Sequence, residues 1–183
     1  MKHTETPNEV SKLLDALNDA QKKALGGILD TGHRTEFETG AVRDAAPGRG
    51  RCDLLPLDAV AYLFPEHLPF FDNLERYVRQ GRFDNLFDAI TFAAHTMFKG
   101  SIPTAILEVA IHFEEGAKKY KERNWEQGIP LHCYIDSAVR HYLKWLRGDD
   151  DERHDRAVVW NLLCAAWTHW NKPEMVDLPF AEK

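Results

Sequence analysis

Carboxylates recur at helical spacing in two separate parts of the chain. Glu152 and Asp155 form an ExxD pattern, and Glu108, Glu114 and Glu115 lie in an upstream segment that also has helical periodicity. Residues three or four apart share one face of a helix, so such carboxylates can meet at one ion. Four or more carboxylates from two helices are able to hold Mg²⁺ beside a phosphate chain. The pattern therefore predicts a metal site, although an isolated ExxD pair also occurs in ordinary solvated helices.

The segment 103–122 separates into two faces when it is drawn as a helix. The predicted apolar arc consists of Ile106, Val109, Ala110, Phe113, Ala117 and Tyr120. The predicted polar stripe on the opposite side consists of Glu108, His112, Glu115 and Lys119. Two interpretations stay open: the stripe is the solvated face of the helix, or it is a row of metal and phosphate ligands that face a cleft.

Three polar residues interrupt the segment 150–171, which is otherwise apolar around its circumference. His154, Asn161 and Thr168 recur every seven residues and therefore lie on one side of the predicted helix. An all-round apolar helix is buried, and buried polar groups need partners. The three residues either satisfy a neighbouring helix or line a site.

Several arginines and amides could contact a nucleotide. The loop 34–51 carries Arg43 among glycines and lacks a P-loop motif, so it is either a phosphate-closing loop or a disordered connector. Asn124-Trp125 pairs an amide with a large ring, which suits a base as well as a core position. Asp136 and Arg140 are four residues apart, a spacing typical of a surface ion pair.

Helix signals dominate the elements that would position these residues. Capping and stop residues predict short helices at 57–64, 71–80 and 84–98, then long helices at 103–122, 131–147 and 150–171. We therefore expect an all-α fold, with the three long C-terminal helices as a bundle and the preceding segments packed on it. The predicted divisions are an N-terminal helix at 1–30, an Arg/Gly-rich loop at 31–56, a helical domain at 57–172 and a tail at 173–183.

Composition limits the class of protein. The 183 residues carry a net charge of −6 and 44% hydrophobic residues, which fits one folded domain and argues against stable nucleic-acid binding. No apolar run is long enough for a membrane helix, and the first residues contain no apolar secretion segment. Cys52, Cys133 and Cys164 are too far apart for a CxxC zinc site, which favours a reducing cytoplasm.

The chain resembles the phage dATP/dGTP diphosphohydrolase family through a set of motifs spread over about 37–170. These motifs are FETGAVRD at 37–44, GRCDLLP at 50–56, HFEEGAKKY at 112–120, Asn124-Trp125, YIDS at 134–137, RHY at 140–142, and the closing stretch from Arg147 to Asn161. The family is similar to the all-α, MazG-like nucleoside triphosphate pyrophosphohydrolases.

The resemblance implies hydrolysis of purine deoxynucleoside triphosphates to monophosphate and pyrophosphate, with Mg²⁺ or Mn²⁺ on acidic helices. The implied catalytic residues are Glu115, Glu152 and Asp155, and the implied metal ligands are these three with Glu108. The implied substrate-binding residues are Arg43, Lys119, Asn124, Trp125, Arg140, His141, His154 and Asn161. Lys118 stands at the third acidic position of the EExxE motif that MazG-like proteins carry.

Two other hypotheses stay open. His154-Asp155 is an HD dipeptide, which with His112 or His141 upstream and Asp177 downstream would indicate an HD-type phosphohydrolase. Lys118 would also suit a protein that binds or sequesters nucleotides without cleaving them. For each hypothesis we expect a purine deoxynucleotide ligand, a homo-oligomer and a cytoplasmic location, in the host if the protein is phage-encoded.

Overall fold

The computed structural model describes residues 32–44 and 48–182. Six α-helices make up most of this part of the chain: α1 (Leu57–Ala61), α2 (Leu68–Gln80), α3 (Phe83–Met97), α4 (Ile102–Lys119), α5 (Leu131–Arg147) and α6 (His154–Asn171). The predicted all-α class and the three long C-terminal helices are confirmed. The helix predicted at 1–30 lies outside the described residues. No helix in the described ranges combines the length and apolar character needed to cross a bilayer.

A small hairpin occupies part of the stretch that was predicted as an irregular loop. Strands β1 (Arg34–Glu36) and β2 (Val42–Asp44) pair antiparallel, with Thr35 opposite Arg43. Thr39 in the turn donates a hydrogen bond to the Gly128 carbonyl over 2.6 Å, and Ala41 is fully buried. The hairpin is too short to carry an alternating apolar pattern, because three-residue strands give a period of two little room to appear.

Helix α6 is the centre of the molecule. It packs against α3, α4 and α5, and eleven of its eighteen residues are buried, as an all-round apolar helix requires. His154, Asn161 and Thr168 are among the buried residues, as predicted. Residues of α2 reach the same core through Phe70, whose ring stacks on Tyr142 of α5 at 3.7 Å between centroids.

Helix ends follow local chemistry. Helix α5 ends at Arg147 and is capped by Gly148, whose φ of 84° is rarely adopted by other residues. The bounds of the helix match the prediction. Helix α6 begins at His154 and not at the predicted residue 150. The acidic residues before it are engaged elsewhere, since Asp149 pairs with Arg147 and Asp151 pairs with Lys144.

Helix α4 is rotated relative to the predicted apolar arc. Ile106 is 49% exposed and Leu107 is 71% exposed, whereas His112 is buried. The side of α4 that faces α6 carries Ala105, Val109 and His112, so polar residues of the predicted stripe point inward. The helical wheel was misleading because it ranked faces by hydrophobicity, while here the inward face borders a polar cleft.

The C-terminal tail, predicted at 173–183, packs on the bundle over its described part. Leu178 is buried, and the Phe180 ring contacts Tyr77 of α2 at 5.8 Å between centroids. A Cβ atom on Gly81 would come within 2.7 Å of the Phe180 ring, so glycine at the end of α2 leaves room for the tail.

Candidate functional site

A cleft of about 1190 Å³ opens between the hairpin, the C-terminal half of α4, α5 and the start of α6. Seven Lys or Arg side chains line it against five Asp or Glu side chains, although the whole chain has a net charge of −6. Its apolar wall includes Phe113, Trp125, Ile129 and Trp160. A cationic cleft with an aromatic wall in an acidic protein suits a small ligand that combines phosphates with a ring.

Arg43 enters this cleft from β2 and is held by two helices. Its Nη2 atom donates to Ser137 Oγ of α5 over 2.5 Å and to Asn161 Oδ1 of α6 over 2.8 Å. The guanidinium lies 5.3 Å from the centre of the Tyr134 ring. Its Nη1 atom is buried without a hydrogen-bond partner among the described residues, so one donor of this guanidinium is left unsatisfied.

A group of two histidines and one glutamate lies where α5 meets the start of α6. His141 Nδ1 is 3.0 Å from His154 Nδ1 and 3.1 Å from Glu152 Oε1, and His154 Nδ1 is 3.5 Å from the same oxygen. The other nitrogen of the His154 ring, Nε2, lies 2.7 Å from Asp151 Oδ1. The Nδ1 atoms of His141 and His154 and the Oε1 atom of Glu152 therefore form a compact triangle. Asp151 contacts the opposite side of the His154 ring.

Burial keeps the rings of His141 and His112 neutral. It lowers the pKa of His141 to about 3 and the pKa of His112 to about 4, because the charged imidazolium is poorly solvated there. The negative charge of Glu152 opposes the shift at both rings without reversing it. Neutral imidazoles can accept hydrogen bonds or bind metal ions, which imidazolium ions cannot.

The predicted ExxD pair does not share a helical face. Glu152 precedes the first residue of α6, so the geometric argument for this pair was wrong. Asp155 accepts hydrogen bonds from Arg153 on both carboxylate oxygens, at 2.9 and 2.7 Å. Glu152 instead faces His141, and the two carboxylates point to different partners.

Glu108 also has an arginine partner where a metal had been expected. Its Oε2 atom accepts from Arg156 Nε and Nη2 at 2.8 and 2.6 Å and lies 3.1 Å from Arg153. Because Arg156 is buried, this pair satisfies a charge inside the fold. Within the described ranges, the groups close enough to share an ion are His141 with Glu152 and His154, and Asp149 with Asp151 and His154. The four carboxylates predicted as ligands do not form such a group.

The polar stripe of α4 is turned largely into the fold, and one of its residues reaches the cleft. His112 lines it, and the Lys119 side chain, 9% exposed, makes an ion pair with Asp44 of β2 at 2.5 Å. Glu115 is half-buried one turn beyond His112 on the same face. Glu114 is exposed at the edge of the cleft and pairs with Lys118. The stripe is therefore not a plain solvated face, and its role as a row of metal and phosphate ligands stays a prediction.

The amide of Asn124 is committed to the fold. Its Oδ1 accepts from the Val42 backbone N–H at 2.9 Å, and its Nδ2 donates to the Val42 carbonyl at 2.8 Å. The amide thus holds β2 against the turn after α4, which leaves the prediction that it recognises a base without a geometric basis. Trp125 lines the cleft while packing against Trp167 at 4.9 Å between centroids.

Asp136 and Arg140 form a buried pair and not the expected surface pair. Both side chains are 12% exposed, and Arg140 also donates to the carbonyls of Arg49 and Gly50 at 2.7 and 3.0 Å. Asp136 Oδ1 accepts from the Cys52 backbone N–H at 2.6 Å. The pair fastens residues 49–52 to α5, and both Arg49 and Arg140 line the cleft.

Some cleft residues were missed in the sequence. Trp160 was taken as one more apolar residue of its helix, yet its Nε1 atom is buried in the cleft wall without a hydrogen-bond partner in the described part of the chain. Lys144 and Asp151 also line the cleft and pair with each other at 2.7 Å. The sequence carries no signal for them, since charged residues near a helix end are ordinary.

The residues of the HD-type hypothesis are not brought together. His154 faces His141 whereas Asp155 faces Arg153, so the dipeptide does not present one ligand set. Asp177, the expected downstream acid, hydrogen-bonds to His132. The geometry gives this hypothesis no support.

Comparison with known proteins agrees with the resemblance in the motifs. No curated protein and no solved structure matches the chain. The sequence profile described as dATP/dGTP diphosphohydrolase, N-terminal, matches residues 87–178, which is just over half of the 183 residues and covers α4, α5 and α6. The chain therefore belongs to the dATP/dGTP diphosphohydrolase family.

Proposed function

We propose that the protein hydrolyses dATP and dGTP to the deoxynucleoside monophosphate and pyrophosphate in the cleft described above. The observation that carries the proposal is the cationic cleft in an acidic chain, formed by the helices that the family profile matches. Family membership supplies the class of substrate, and the resemblance to MazG-like proteins supplies the position of cleavage between the α and β phosphates.

The phosphate chain is assigned to the basic side of the cleft. Arg43 offers its buried Nη1 donor, and Lys144 and Arg147 reach the cleft from the last turns of α5. Lys119 is held by Asp44 close to the same wall and adds positive charge. Several fixed cations neutralise a triphosphate more effectively than mobile ones, because their orientation is set before the substrate arrives.

The purine is assigned to the aromatic wall. Phe113, Trp125 and Trp160 line this part of the cleft. The indole N–H of Trp160 is a donor, and N7 is an acceptor that adenine and guanine share and pyrimidines lack. A hydrogen bond between them would favour both purines over pyrimidines.

Glu152 is the proposed catalytic carboxylate. It lies 13% exposed at the cleft, beside neutral His141, where it can accept a proton from an attacking water. A divalent ion such as Mg²⁺ or Mn²⁺, when bound, would neutralise phosphate charge and activate that water. Glu115 remains a second candidate on the α4 face, whereas Glu108 and Asp155 are assigned to holding Arg156 and Arg153.

Product analysis tests the proposal. Purified protein is incubated with each dNTP and either Mg²⁺ or Mn²⁺, and the products are resolved by ion-exchange chromatography. Monophosphate with pyrophosphate from dATP and dGTP is expected. Nucleoside with triphosphate would support the HD-type reaction, and binding without turnover would support a sequestering protein. Glu152→Gln should abolish turnover, while Glu174→Gln, at an ion pair with Lys172 outside the cleft, should leave it unchanged.

A further inference from the structure

The triangle of His141, Glu152 and His154 has the dimensions of one face of a metal site. Its edges are 3.0, 3.1 and 3.5 Å. Ligand atoms bonded at about 2.0–2.1 Å to one ion stand about 2.8–3.4 Å apart when the geometry is octahedral or tetrahedral. The donor atoms therefore already stand close to the separations that an ion requires.

A supporting residue orients one of the ligands. His154 is 2% exposed, and its Nε2 lies 2.7 Å from Asp151 Oδ1. An N–H donated to this carboxylate leaves the lone pair of the ring on Nδ1, which is the atom directed at His141 and Glu152. Carboxylate–histidine–metal arrangements of this kind fix the ring and its tautomer in metalloproteins.

The type of ligand selects the type of ion. Mg²⁺ prefers six oxygen ligands in an octahedron. The carboxylates predicted to bind it do not meet, because Glu108 is bound by Arg156 and Asp155 by Arg153. Two imidazoles with one carboxylate are characteristic of Zn²⁺ and other divalent transition-metal ions. The second group, Asp149 with Asp151 and His154, is less suitable for a metal ion. Asp149 already forms an ion pair with Arg147, and Asp151 forms one with Lys144.

We propose that His141, Glu152 and His154 form a binding site for a divalent transition-metal ion of the Zn²⁺ class. His141 and Glu152 line the cleft, so the ion would lie at its wall, within reach of a phosphate. Its use in hydrolysis rests on the proposed function, whereas its binding does not. The remaining positions of the ion would be open to water or to a phosphate oxygen, as in catalytic zinc sites with three protein ligands.

Direct metal binding tests the inference without substrate. Metal-free protein is titrated with Zn²⁺ and with Mg²⁺ by calorimetry, and with Co²⁺ by visible absorption, which reports the ligand field of the ion. We expect one equivalent of Zn²⁺ or Co²⁺ to bind and Mg²⁺ to bind far more weakly. His141→Gln and Glu152→Gln should each weaken Zn²⁺ binding by at least about tenfold, and Asp151→Asn by about 10–100-fold through His154.

Matched controls separate this site from other histidines and acids. His132→Gln changes a histidine of α5 outside the cleft, and Asp149→Asn changes the competing cluster; both should keep wild-type affinity. Circular dichroism shows that each variant is folded before it is titrated. Absence of Zn²⁺ binding in the wild type, equal affinity in Glu152→Gln, or Mg²⁺ binding as tight as Zn²⁺ would overturn the inference.

The two proposals fail differently. A protein that releases pyrophosphate from dATP with Mg²⁺ but binds no Zn²⁺ keeps the proposed function and refutes the metal site. A protein that binds Zn²⁺ through His141 and Glu152 but cleaves no nucleotide keeps the metal site and refutes the function.

Discussion

Arg43 of the hairpin donates a hydrogen bond to Asn161 of the central helix, at 2.8 Å from Nη2 to Oδ1. Asn161 in turn donates from Nδ2 to the Ala157 carbonyl at 2.7 Å. The asparagine is thus fully engaged inside the protein, and its part in the cleft is to fix the direction of an arginine. This link connects the short hairpin to helix α6 at the centre of the fold.

Replacing Asn161 with Ala should weaken both stability and nucleotide binding. The change removes one of the two acceptors of Arg43 Nη2 and leaves Ser137 as the other. The free energy of unfolding should fall by about 1–3 kcal/mol. A ligand that binds only the folded state raises Tm. The rise in Tm caused by dATP or dGTP should be mostly lost in the variant.

The control for this experiment is Asn171→Ala. Asn171 also donates to the carbonyl four residues earlier on α6, but it lies outside the cleft at the exposed end of the helix. Its nucleotide-induced rise in Tm should equal that of the wild type. An undiminished rise in Asn161→Ala would assign that residue to the core alone.

Sequence patterns predicted the helices well because their ends depend on local chemistry. Gly148 and the capping of α4 by Ser101 follow from neighbouring residues, so α5 and the start of α4 lie where expected. The hairpin at 34–44 depends instead on contacts far along the chain, such as the amide of Asn124 on Val42. No local pattern contains that information.

Residue types in the sequence indicated which side chains lie near the cleft better than they indicated the partner of each one. Arg43, His141 and Asn161 line one cleft, and His154 contacts His141 from behind it. The roles predicted for the carboxylates changed, because ion pairs in the folded chain decide which carboxylates are available to bind a metal ion. Arg153 and Arg156 engage Asp155 and Glu108, and neither pairing follows from helical spacing.

Replacing Trp160 with Phe should reduce purine binding while preserving the ring in the wall. The variant removes the buried Nε1 donor, which lacks a partner in the described ranges. If this donor contacts purine N7, its loss should raise KM for dATP and dGTP by about 2- to 12-fold, since one hydrogen bond contributes about 0.5–1.5 kcal/mol. Steady-state kinetics with both nucleotides provides the measurement.

Trp170→Phe is the matched control, because Trp170 lies on the same helix but is 68% exposed and outside the cleft. Its KM should not change. Equal KM values for Trp160→Phe and the wild type would remove the indole N–H from the proposed base site.

The outer face of α4 predicts self-association. Ile106, Leu107 and Ile111 are 49%, 71% and 39% exposed on one helix, which is an unusual cluster of large apolar side chains at a surface. We expect a homo-oligomer, at least a dimer, that covers this face. Light scattering at micromolar concentration should give a multiple of the 21.0 kDa chain mass.

Leu107→Glu should shift the protein towards the monomer, because it places a charge in the proposed interface. Tyr62→Glu is a control at a side chain that is 80% exposed on another part of the surface, and it should leave the mass unchanged. A wild-type mass equal to one chain at micromolar concentration would contradict the prediction.

The contact between His132 and Asp177, which joins α5 to the C-terminal tail, should depend on pH. The hydrogen bond to the Asp177 carboxylate raises the pKa of His132 to about 10. Burial alone would raise the pKa of Asp177, but its hydrogen bonds with His132 lower it below the usual value. The folded pKa of the histidine is raised, so its contribution is fully present below the ordinary value of about 6.5 and is lost as the pH rises towards 10.

A double-mutant cycle with His132→Gln and Asp177→Asn measures this contribution separately from the rest of the protein. The two side chains are 30% and 39% exposed, so solvent screens the pair, and its coupling free energy should be largest near pH 6, where the imidazolium is charged. It should fall steadily between pH 7 and pH 10.5 as the imidazolium loses its proton. Denaturant unfolding of the four proteins at each pH gives the coupling, and a coupling that grows with pH would reverse the assigned charge state of His132.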